Sequence, residues 1–127
     1  MKDAVMRSAM PDVAAPTWWV ICLCAGWCGV CQEYRSGFEA LGGRWPAVRW
    51  EWLDVEDRED LVDDVDVQTF PTVLIGRGEQ AYFLGPVLPQ HAVLERLLAS
   101  FIDGAPATSQ LPRESTPLFQ RVVASLS

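Results

Sequence analysis

Positive charge is scarce in this chain: 10 lysines and arginines stand against 17 aspartates and glutamates among 127 residues, for a net charge of −7. Without a basic field, phosphate backbones and anionic headgroups meet no long-range attraction, so no nucleic-acid partner is expected. Long apolar runs are missing as well. The longest, Trp18 to Gly26, is strand-sized against the roughly 18 residues a membrane-spanning helix requires, and no membrane partner is expected. The opening MKDAVMRSAMPDVAAP sets acids and a proline where a secretory signal would place its apolar stretch, which points to a soluble, cytoplasmic protein. Histidine occurs once, at His91 near the start of the last helical segment, where a surface or capping role is expected. No Ser-His-Asp set, phosphate-cradling glycine loop, dinucleotide fingerprint or internal repeat is present.

What is present is apolar bulk and a knot of sulfur. Half of the residues are hydrophobic, with six Trp and five Phe, enough to build one compact core and the opposite of a disordered composition. The four cysteines, Cys22, Cys24, Cys28 and Cys31, crowd within ten residues. A secreted disulfide framework spreads its bridges to close loops, so this crowding marks a site.

The run Trp18 to Ala25 is apolar without alternation, the pattern of a central strand covered on both faces. Gly26 permits a turn, after which Cys31, Tyr34, Phe38 and Leu41 recur at helical spacing up to Gly42-Gly43. Ala47 to Val55 reads as a second strand, and Leu61, Val62 and Val65 suggest a short helix amid acids. Thr72 to Ile75 forms a third strand, Gly76 and Gly78 reverse the chain, and Ala81 to Leu84 returns as a hairpin. Leu94, Leu97, Leu98, Phe101 and Ile102 share one face of a helix that begins near Pro89 and ends at Gly104. The order β-α-β-α-β-β-α predicts an α/β fold with a mixed central sheet and helices on both faces. Residues 1–16 form an N-terminal segment and 17–104 the domain. Residues 105–127 read as a Pro/Ser/Thr-rich linker and a short amphipathic tail, in which Leu118, Phe119, Val122, Val123 and Leu126 line one face, to dock on the domain or on a partner.

Chemistry concentrates in Trp27-Cys28-Gly29-Val30-Cys31, where a buried strand runs into a helix. Cys28 is expected at the helix N-terminus, where unpaired N–H groups and the positive dipole end favour a thiolate, the species that attacks disulfides. Cys31 follows about one turn later on the same face, placed to attack a mixed disulfide. A C-x-x-C pair by itself also suits zinc or an inert bridge. Cys22 and Cys24 share one face of their strand and read as small buried hydrophobes. A four-sulfur metal site is the alternative, but C-x-C-x3-C-x2-C within one segment lacks the two separate knuckles of structural zinc, so no metal is expected. Glu51 to Asp66 carries nine acids against Arg58, a solvated face that as a binding feature would favour a basic partner.

The sequence resembles the thioredoxin family: Trp27-Cys28-Gly29-Val30-Cys31 matches its W-C-G-x-C active site, Thr69-Phe70-Pro71-Thr72 its cis-proline loop, and Gly78-Glu79 and Gly85 its hairpin. The resemblance spans roughly Thr17 to Ile102 and implies a thioredoxin fold. It implies a thiol-disulfide oxidoreductase in which Cys28 and Cys31 are catalytic, without a bound cofactor. Its substrates would be proteins with disulfides and its electrons would come from an external donor such as a reductase. Trp27, Gly29, Val30, Thr69, Phe70 and a cis Pro71 would form the substrate-binding surface. Two departures stand out. The family's buried aspartate is replaced by Cys22, and the lysine that accompanies it is absent from Glu51-Trp52-Leu53. A binding module of the same fold with weak or no redox turnover is therefore the alternative function.

Overall fold

The computed structural model describes residues 17–25, 29–62, 71–87 and 90–126. Their elements are β1 (Trp18–Cys24), α1 (Gly29–Arg44), β2 (Arg49–Asp54), α2 (Glu59–Val62), β3 (Thr72–Arg77), β4 (Gln80–Pro86), α3 (His91–Ile102) and α4 (Ser115–Leu126). The sheet runs β2-β1-β3-β4. β1 is parallel to β2 and antiparallel to β3, and β4 closes the hairpin against β3. The unbroken apolar run of β1 has a simple cause: the strand has a neighbour on each side and helices over each face.

Side-chain alternation along β1 divides the core in two. Val20, Cys22 and Cys24 face α1 and α3, where Tyr34, Phe38, Leu41, Leu94, Leu98 and Phe101 are buried. Trp19, Ile21 and Leu23 face the other side, against Leu61 and Val62 of α2 and Leu118, Phe119 and Val122 of α4. The mixed sheet with helices on both faces is thus the one expected from the sequence. The C-terminal tail docks on the domain: α4 covers the second face, and the Arg121 guanidinium donates to the Leu61 carbonyl at 2.9 Å. Without α4, the buried side chains of this face would lie open to water.

Several local expectations shift. α1 passes through Gly42-Gly43 to Arg44. A glycine inside a helix costs only about 1 kcal/mol, which burial of Phe38 and Leu41 outweighs. Gly76 is not a turn residue. It lies within β3 at a break in register after Ile75, and a Cβ there would sit 2.5 Å from the Phe119 ring of α4, so the position accommodates helix-to-sheet contact. The reversal falls to Gly78, whose φ of 63° suits glycine. In α3, Leu94, Leu98 and Phe101 are buried, Leu97 is half-buried and Ile102 is exposed.

Candidate active site

The sulfur site is assembled by the end of β1 and the first turn of α1. Cys24 is the last residue of β1 and Cys31 the third of α1. Their sulfurs are bonded to each other, with Cα atoms 5.9 Å apart. Both residues are 1% exposed. The reading of Cys24 as a mere buried hydrophobe is therefore corrected. The alternation that turns Cys24 toward α1 also aims it at the inward face of the helix's first turn, where Cys31 must point because Tyr34 and Phe38 follow it on that stripe. The signal was available in the sequence, as a strand-end cysteine facing the helix that begins just after it. Spacing alone conceals it.

Cys22 remains a free thiol, fully buried between Trp52 on β2 and Val73 on β3. Its sulfur lies 3.8 Å from that of Cys24. Burial in apolar surroundings pushes its thiol from an ordinary 9.0 up to about 12. It cannot serve as a proton acceptor near neutral pH. The Tyr34 hydroxyl, one turn past Cys31, is also buried, with no hydrogen-bond partner among the described residues. Burial, and then the neighbouring Cys22, push its ionisation upward. Three sulfurs and one phenol thus pack in one buried cluster beneath the start of α1.

Of the residues singled out from sequence, Trp27, Cys28, Thr69 and Phe70 lie outside the described residues, as do Val65 and residues 1–16. Gly29 and Val30 open α1 and are exposed, Val30 at 44%, one of two exposed large hydrophobics among the described residues. Pro71 is buried, and its carbonyl accepts from the Val87 amide at 3.1 Å. The β1–β3 register ends with Leu23 paired to Thr72, the residue that follows Pro71. A cleft of about 510 Å³ opens beside Cys31, lined also by Arg35, Trp52, Asp54, Asp57 and Arg58. His91 has a packing role in place of the surface or capping one expected. It stacks on the Tyr34 ring at 4.5 Å and donates to the Tyr34 carbonyl at 3.0 Å, fastening α3 to α1. Of the described acids in the Glu51 to Asp66 run, Glu56, Asp57, Glu59 and Asp60 are exposed, as a solvated face should be, whereas Glu51 and Asp54 on β2 are half-buried. No group of three or more His, Cys, Asp and Glu placed to hold a metal occurs among the described residues. No helix among them is long and apolar enough to cross a membrane.

A βαβ half with a cysteine in the first turn of its helix, an antiparallel half that begins at a proline, and helices on both faces together define a thioredoxin-type fold around a sulfur site. The family model for thioredoxin matches residues 10–94, and the chain belongs to the thioredoxin family. It is 31% identical over 80 residues to thioredoxin domain-containing protein 2 of Rattus norvegicus, covering 63% of this chain and 13% of that protein. It is 32% identical over 53 residues to a thioredoxin of Ophiophagus hannah, covering 42% of this chain and 50% of that protein. The chain spans half or less of the length of these two curated relatives. Among solved structures, the thioredoxin of Fasciola hepatica matches with a TM-score of 0.61 at 21% identity, covering 66% of this chain and 80% of that one. This last likeness is one of fold.

Proposed function

We propose that this protein is a thiol-disulfide oxidoreductase that reduces or exchanges disulfides in protein substrates. The observation that carries the reading is that Cys31, in the first turn of α1, engages in a disulfide, in a family whose active site the surrounding W-C-G-V-C matches. Cys28 thiolate attacks one sulfur of a substrate disulfide, and the other substrate sulfur leaves as thiolate. Cys31 then attacks Cys28, the substrate departs reduced, and the two electrons come from the Cys28 and Cys31 thiols. An external dithiol donor such as a reductase restores them. Cys28 directly precedes Gly29 in the sequence, where α1 starts, and thiols at helix starts are favoured as thiolates, which supports Cys28 as the attacker.

Substrate docking is assigned to Trp27, Gly29, Val30, Thr69, Phe70 and a cis Pro71. The exposure of Val30 and the place of Pro71 just before the Leu23–Thr72 pair at the end of β1 support it. A role in redox homeostasis of the cytoplasm goes with this reading. The test is reduction of insulin by dithiothreitol: clear acceleration that Cys28→Ser abolishes supports it, and acceleration that survives Cys28→Ser overturns it.

One observation favours a second reading, a binding module of weak turnover. Cys22 stands where the resemblance places a buried carboxylate, and a thiol pushed up to about 12 supplies no base at neutral pH. An intact, oxidisable dithiol that fails to accelerate insulin reduction would select this module.

A further inference from the structure

We propose that Cys24 is a third redox-active cysteine, which takes Cys31 from Cys28 and carries the protein's resting disulfide into the core. The inference rests on the reading of Cys28 as the attacking thiol, and it adds a step after substrate release. Cys24, as thiolate, attacks the Cys31 sulfur. The Cys24–Cys31 bond forms, the Cys28–Cys31 bond breaks, and Cys28 leaves as a thiolate. The proton lost from Cys24 goes to solvent. No external oxidant or reductant enters, since the disulfide only changes partners.

The direction follows from which sulfur best carries negative charge. In an exchange among thiols the bridge settles on those whose thiolates are least stable, and the best thiolate is set free. Cys24 and Cys31 are each 1% exposed, and apolar burial disfavours their charged forms. The exchange reading makes Cys28, the residue before Gly29 in the sequence, the thiol that ionises most readily. The observed pairing of Cys24 with Cys31 is the expected outcome. Cys22 does not compete, although its sulfur is 3.8 Å from that of Cys24. It remains unbonded, while the sulfurs of Cys24 and Cys31 are joined to each other.

Two consequences follow. With Cys31 held by Cys24, a second substrate captured by Cys28 has no resolving thiol, so the oxidised protein holds its clients. Because both bonded residues are 1% exposed, a protein donor reaches this bridge more slowly than an exposed one, and reduction runs mainly through the Cys28–Cys31 isomer.

The test is a peptide map of the full chain after oxidation by insulin, acid quenching and labelling of free thiols with N-ethylmaleimide. Chymotryptic cleavage after Leu23, Trp27 and Tyr34 puts Cys24 on one peptide and Cys28 with Cys31 on another. The expected product is the two peptides joined, with the label on Cys28 and lost from Cys24. A closed Cys28–Cys31 loop with labelled Cys24, or any bridge to Cys22, overturns the inference and leaves the exchange reading standing. Insulin reduction that survives Cys28→Ser overturns that reading instead. As a second readout, Cys24→Ala should move the oxidised form to Cys28–Cys31 and speed its reduction by a protein donor, while an unchanged rate counts against a buried resting bridge.

Discussion

The contact of Phe119 with Gly76 allows a double-mutant cycle whose outcome is fixed by geometry. Phe119 is fully buried against the α2/α4 face, and Phe→Ala at such a site costs about 3–5 kcal/mol in lost transfer energy and cavity. Gly76→Ala places a methyl 2.5 Å from that ring, closer than van der Waals contact permits. The ring is fully buried in one packed cluster with Ile21, Leu74, Leu118 and others, which leaves it little room to give way. Overpacking of this kind costs about 1–3 kcal/mol. In the double variant the new methyl enters space the ring has vacated, so the second penalty disappears. The pair should be less destabilised than the sum of the single variants by about 1–3 kcal/mol. Urea unfolding followed by tryptophan fluorescence reads each corner of the cycle, with equal slopes required for the comparison. Additivity within about 0.5 kcal/mol would refute the packing of α4 on β3.

Other expectations follow from the sulfur site. The Cys22 thiol is raised when folded, so it adds stability in full below about pH 9 and loses it as pH climbs toward 12. Within that window it contributes a decline of about 1.4 kcal/mol per pH unit, and Cys22→Ala should flatten the alkaline limb of stability measured by urea unfolding. Equal slopes would show that Cys22 ionises freely. Cys22→Asp supplies a carboxylate beside Cys24 and should raise insulin turnover by up to about 100-fold, within the usual range for a positioned base, while lowering stability as pH rises. No gain in a folded variant would detach turnover from that position. Tyr34→Phe removes a buried hydroxyl that lacks a partner among the described residues, and should be neutral or stabilising by about 1 kcal/mol in thermal unfolding.

The elements that bury a periodic stripe were readable from the sequence. Cys31, Tyr34, Phe38 and Leu41 announced α1, and the unbroken run of β1 announced a central strand, because each pattern is a direct image of which faces lose water. Gly76 misled because a glycine between two apolar runs reads as a turn, whereas here its missing side chain serves a contact with α4, some forty residues away. The tail's stripe of Leu118, Phe119 and Val122 was visible, but which surface it covers depends on the second face of β1 needing a partner. The site divides the same way. Cys31 lies in the first turn of α1 on the stripe that Tyr34 and Phe38 continue, a local pattern the sequence displays. Cys24 joins Cys31 only across the strand-to-helix junction, a tertiary relation that no short spacing records. His91 likewise owes its role to the close approach of α3 and α1 at Gly37, where a Cβ would collide with the imidazole.

The central claim, that Cys28 attacks and Cys31 resolves, is tested most directly by incubating Cys31→Ser with insulin and mapping covalent adducts on gels run without reductant. A dithiothreitol-sensitive adduct on Cys28 is expected, since the attack proceeds and nothing releases the client. Absence of an adduct, or one attached to Cys24 or Cys22, would contradict the account.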